Sequence, residues 1–107
     1  MFTRVVEMTG KAGKSHEIAN AINEKILPIL RQQPGFLDET VLTSDTESNH
    51  VIGISFWKTK EDAERYNRDQ YPKVNEILAN FVETTPMVRT FNVHTSTPHK
   101  IAAEKAA

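Results

Sequence analysis

An α+β fold is predicted for this chain: one four-stranded antiparallel sheet with its helices on one face. Three observations predict it. Four runs rich in β-branched and aromatic residues lie at 2–9, 36–43, 50–57 and 86–96. Two segments with apolar residues at helical spacing separate the first run from the second and the third from the fourth. The order is therefore β-α-β-β-α-β, two split β-α-β halves that build a ferredoxin-like sandwich.

Each element follows from its residues. FTRVVEMT (2–9) is a β-branched run long enough for one strand, and TGKAGK breaks it with two glycines. Ser15 is a candidate helix cap, with Glu17 near the positive end of the dipole. Ile18, Ile22, Ile26 and Ile29 then repeat at helical spacing. Pro28 removes a backbone donor inside that pattern, so the helix should bend near its C-terminus. FLDETVLT (36–43) and HVIGISFW (50–57) are the second and third strands, joined by the polar SDTESN. Thr59 is the expected cap of the next helix, and Pro72 marks an interruption that starts a fresh helical piece. Val74, Ile77, Leu78 and Phe81 form its buried stripe, and PMVRTFNVHTS (86–96) is the fourth strand.

The third strand has two apolar faces. Val51, Gly53, Ser55 and Trp57 point one way, and Ile52, Ile54 and Phe56 the other. Helices on one side of the sheet leave the second apolar face bare. A homodimer packed sheet to sheet covers it.

With 107 residues, one domain is expected over 1–97, followed by a C-terminal tail over 98–107. A net charge of −1 and lysines and arginines interspersed with acids leave no basic stripe for nucleic acid. The absence of cysteine excludes disulfides, thiolate nucleophiles and thiolate metal sites. No stretch reads as a signal peptide or approaches the ~20 apolar residues of a membrane span, so no membrane partner and a cytoplasmic location are expected.

PGF (34–36), the FWKTKEDAERY junction after the third strand and the late VRTFNVH strand together resemble the antibiotic biosynthesis monooxygenase domain. The resemblance spans roughly residues 2–96. It implies a dimeric α+β barrel, and it implies either a cofactor-independent oxygenase of quinol or polyphenol aromatics or a haem-degrading enzyme. Polyketide-type oxygenases of the family end the third strand in a tryptophan, with an asparagine four positions before it and a tyrosine six after. Trp57 matches that tryptophan, while Gly53 and Ala63 stand at the other two positions. Tyr66, one helical turn beyond Ala63, can partly replace the hydroxyl. The haem-degrading branch needs an axial histidine on the second helix and an asparagine on the first strand. This chain has no histidine between His50 and His94 and no asparagine in FTRVVEMT. No cofactor and no metal site are expected.

The candidate substrate-binding residues are Trp57, Tyr66, Asn67, Arg89 and His50. Trp57 would wall a pocket that Gly53, Ser55 and Ala63 leave open, or fill that space itself. Tyr66 and Asn67 offer hydrogen bonds to a small aromatic ligand. Arg89 is a candidate anchor for an anionic oxygen, or a partner for Glu7 or Glu39. His50 or His94 is a candidate acid/base, although none of the four histidines has zinc-site spacing with another. The competing expectation is a non-catalytic dimeric binding module, favoured by Gly53 and Ala63 at positions where the oxygenases carry polar groups.

Overall fold

The computed structural model describes residues 1–97. The expected tail over 98–107 lies outside the described residues. The strands are β1 (Phe2–Thr9), β2 (Phe36–Thr43), β3 (His50–Trp57) and β4 (Met87–Asn92). They form one antiparallel sheet in the order β2-β3-β1-β4, with β2 and β4 at the edges. This is the ferredoxin-like arrangement. β4 is shorter than its sequence run, ending at Asn92.

The first helical segment is α1 (Ser15–Ala21), a π turn (Ile22–Ile26) and α2 (Leu27–Arg31). In a regular α-helix Pro28 could not donate to the carbonyl of Glu24, and its ring would collide with it. The wider π turn takes up that mismatch one turn ahead of the proline. The expected bend is therefore a change of helical register. Ser15 is the first helical residue and not the cap; Lys14 holds the cap position, and its side chain makes no capping hydrogen bond.

The second helical segment is α3 (Lys60–Asp69) and α4 (Tyr71–Ala79), with Pro72 in the first turn of α4. Thr59 caps α3: its hydroxyl accepts from the Asp62 amide at 3.1 Å and donates to Asp62 Oδ2 at 2.9 Å. No helix among the described residues is long and apolar enough to cross a membrane.

The core lies between helices and sheet. Ile18, Ile22, Ile26, Leu30, Val74 and Leu78 pack from the helices onto Phe2, Met8, Val51 and Trp57 of the sheet. The opposite sheet face carries Val5, Ile52, Ile54 and Phe56, flanked by the exposed Leu42, Met87 and Phe91. Two-faced apolarity of β3 is thus real, and among the described residues the helices cover only one face.

Gly35 shows how tightly the second strand is joined to α3. Its φ is +79°, and a Cβ there would strike the side chain of Asp62, the cap partner. Its carbonyl also accepts from Lys58 N at 2.8 Å. Gly35→Ala is expected to destabilise the fold by about 2 kcal/mol, from the left-handed backbone and the displaced cap together. Urea unfolding measures it.

Candidate functional site

Strand register lays out the helix-facing side of the sheet in rows. Phe2, Trp57 and Phe36 make an aromatic row. Arg4, Ser55 and Glu39 make the next row, one residue from each of three adjacent strands. Val6, Gly53 and Val41 follow. A polar row thus lies between an aromatic row and a low floor at Gly53.

A cavity of about 40 Å³ sits on this polar row. Arg4, Ser55 and Glu39 line it from the sheet, Tyr66 and Tyr71 from the second helical segment, and Ile22, Ile26 and Leu30 from the first. Ile22 and Ile26 are the two ends of the π turn, so the register change lies over the cavity. That space holds roughly three water molecules.

Arg4 is the unusual member. It is 3% exposed, and its Nη2 donates to Asn67 Oδ1 at 2.9 Å. The guanidinium lies 5.0 Å from the centre of the Tyr66 ring and 4.6 Å from that of Tyr71. No carboxylate forms an ion pair with it among the described residues. Burial lowers its pKa, and the neighbouring tyrosines partly offset that. A buried cation with only neutral partners is suited to receive an anion.

Glu39 is half-buried across the row, and burial pushes its carboxyl up to about 7. Arg31 draws it down and Asp38 pushes it further up, both by less than burial does. Burial likewise pushes the Tyr66 hydroxyl up to about 12 and raises that of Tyr71, so both stay protonated near neutral pH.

The raised Glu39 value has a stability consequence with a definite sign. The folded state binds the proton more tightly than the unfolded chain, whose value is 4.5. The contribution is fully present below pH 4.5 and is lost as pH rises through about 7. Glu39→Gln is therefore expected to match the parent in acid and exceed it above pH 7 by about 2 kcal/mol, partial exposure allowed for. Urea unfolding across that range checks it.

The sequence-derived candidates separate into two groups. Tyr66 lines the cavity, and Asn67 orients Arg4. Trp57 lies beside them but is fully buried and does not line the cavity. Its ring stacks on Tyr66 at 5.0 Å and meets Phe36 edge-on at 5.6 Å, and its Nε1 donates to Ser55 Oγ at 2.9 Å. The indole is part of the core; the open space lies over Gly53 and Ser55 instead. Arg89 does not join the group. It pairs with Val5 on the opposite sheet face, where it is exposed and its Nη2 meets Met87 Sδ at 3.4 Å. Glu39 faces the helices, so the suggested Arg89–Glu39 pair is excluded by the sheet itself. His50 sits at the far end of β3, with its Nδ1 2.8 Å from Glu47 Oε2. His94 lies beyond the end of β4 and lines no part of the cavity. Among the described residues, no group of three or more His, Asp or Glu side chains is placed to hold a metal ion.

Arg4 and Glu39 were the residues sequence reasoning missed as cavity groups. Arg4 had a usable signal: in FTRVVEMT it alternates in phase with Phe2, Val6 and Met8, the buried set. Arg4 also borders an outer groove of about 280 Å³ shared with Asn67, Ala63 and Thr90, so its guanidinium stands between two spaces.

The family model described as antibiotic biosynthesis monooxygenase matches residues 1–85. Among solved structures, the chain is similar to the monooxygenase of the gene ActVA-Orf6 of Streptomyces coelicolor, in complex with nanaomycin D. The TM-score is 0.77 at 17% identity, over 91% of this chain and 90% of that one. SnoaB, a cofactor-independent oxygenase from Streptomyces nogalater, gives 0.75 at 19% identity over 92% and 97%. NE2512, a protein of unknown function from Nitrosomonas europaea, also gives 0.75, at 11% identity over 91% and 92%. No curated protein matches the chain in sequence. At these identities the structural likeness carries the fold alone.

Proposed function

Because the chain belongs to the antibiotic biosynthesis monooxygenase family, we propose that it oxidises a small quinol or polyphenol with molecular oxygen and without a cofactor. The carrying observation is Arg4, a buried guanidinium without an anionic partner among the described residues, which lines a mostly apolar cavity. An ionised phenol is electron-rich enough to reduce oxygen directly. In the balanced reaction a ring C–H becomes C=O, one oxygen atom enters the product, and the other leaves as water. The protein's part is to exclude water, orient the ring and hold the anion. Arg4 holds the phenolate oxygen, and Tyr66 and Tyr71 supply neutral hydroxyls and aromatic faces. A ring needs more than the 40 Å³ of the cavity, so the cavity must widen to admit it.

The same reading includes a homodimer through the open sheet face. Leu42, Met87 and Phe91 are 46%, 53% and 49% exposed there, beside Ile52, Ile54 and Phe56. Burying that apolar surface against its own copy removes it from water. Sedimentation at micromolar concentration tests it: a monomer contradicts it.

A second reading is a binding module that keeps the cavity and performs no chemistry. The small volume and the indole packed on Tyr66 and Phe36 as core favour it. Oxygen uptake with a panel of quinols and polyphenols discriminates. Protein-dependent uptake supports the oxygenase; ligand binding without uptake supports the module.

A further inference from the structure

We propose that Glu39 is the group that takes the phenolic proton, working across the cavity from Arg4. This rests on the oxygenase reading for its substrate class and on geometry for its assignment.

The geometry is the shared row. Arg4 and Glu39 each pair with Ser55, from β1 on one side and β2 on the other. Adjacent strands lie ~4.8 Å apart, so the two backbones stand roughly 10 Å apart. Both residues line the same cavity, which leaves room for a substrate oxygen between them. They form no ion pair with each other, so neither charge is consumed by the other.

Elimination points the same way. Among the described residues, no histidine lines the cavity. The hydroxyl of Ser55 is already engaged by Trp57 Nε1. The Tyr66 and Tyr71 hydroxyls remain protonated and cannot accept a proton for long at neutral pH. Apart from those two tyrosines, the helix wall over the cavity is aliphatic. Glu39 alone remains, and its side chain has no hydrogen-bond donor holding it among the described residues. The charged and titratable groups around it are Arg4, Arg31, Asp38, Tyr66 and Tyr71. Burial raises the carboxyl to about 7, with Arg31 drawing it down and Asp38 pushing it up by less, so it ionises readily and still holds a proton well.

The step is a proton transfer. The substrate O–H bond breaks, the proton goes to a carboxylate oxygen of Glu39, and the electron pair stays on the phenolate oxygen beside Arg4. No net charge enters or leaves the cavity.

The test uses catechol with the full chain under nitrogen, about one pH unit above the Glu39 value. Absorbance reports catecholate, and a dilute pH indicator reports protons released to solution. The parent protein is expected to form bound catecholate with almost no proton release. Glu39→Gln is expected either to form none or to release about one proton per catecholate, and Glu39→Asp to recover internal transfer in part. Air is then admitted, and oxygen uptake in Glu39→Gln is expected to be roughly 100-fold slower. One proton released per catecholate by the parent protein overturns the assignment, as does an equal proton balance in parent and Glu39→Gln. Failure to ionise catechol also overturns it. Internal proton transfer without subsequent oxygen uptake overturns the oxygenase reading and leaves Glu39 as the acceptor. Oxygen uptake that is equal in parent and Glu39→Gln does the reverse.

Discussion

Trp57→Ala is expected to lower stability by about 3–5 kcal/mol. The indole is fully buried, stacked on Tyr66, edge-on to Phe36, and hydrogen-bonded to Ser55 Oγ. Truncation removes all three contacts at once and leaves a void between sheet and α3. A domain of this size has only about 5–15 kcal/mol in total, so a large share of the margin is lost. Trp57→Phe should cost less, because it keeps the ring stack and loses mainly the donor. Urea unfolding of both variants checks the order. The consequence for function is direct. Any activity lost in Trp57→Ala reflects a collapsed wall, since the indole does not line the cavity.

Arg4→Gln is expected to behave in the opposite way. Removing a buried cation that has no anionic partner is close to neutral for folding, within about 1 kcal/mol, because the desolvation of the charge is removed with it. The contacts to Tyr66, Tyr71 and Asn67 are lost in exchange. Turnover should fall about 100- to 1,000-fold, the usual effect of removing one donor from a developing oxyanion. Arg4→Lys should retain part of the rate, having the charge without the planar fork. Unfolding curves and kcat/KM on the same samples separate the two effects. A stable Arg4→Gln with unchanged kcat/KM would remove Arg4 from the chemistry.

Much of the fold was legible because its punctuation is local. Thr59 and Pro72 mark a cap and a break by their own chemistry, and each stands where the structure uses it. The alternation of HVIGISFW separated the two faces of β3 correctly. The first helical segment was legible only as a bend near Pro28, since a π turn depends on how the ring and the Glu24 carbonyl settle in three dimensions.

The site was less legible, for a physical reason specific to β2. Its pairing shifts between Phe36 and Asp38, leaving Leu37 as the extra residue of a bulge. Without that bulge, strict alternation puts Phe36 and Glu39 on opposite faces. With it, both face the helices, and Glu39 enters the cavity. Arg89 misled for the converse reason. Its alternation with Met87 and Phe91 placed it on an apolar face, but alternation alone does not say which side of the sheet carries the helices.

The most direct measurement is isotopic. Quinol is incubated with the protein under ¹⁸O₂ and the product is weighed by mass spectrometry. The account predicts one ¹⁸O atom per product, formed only with protein present and strongly reduced in Arg4→Gln. Product without label, or labelled product formed equally fast in the absence of protein, would contradict it.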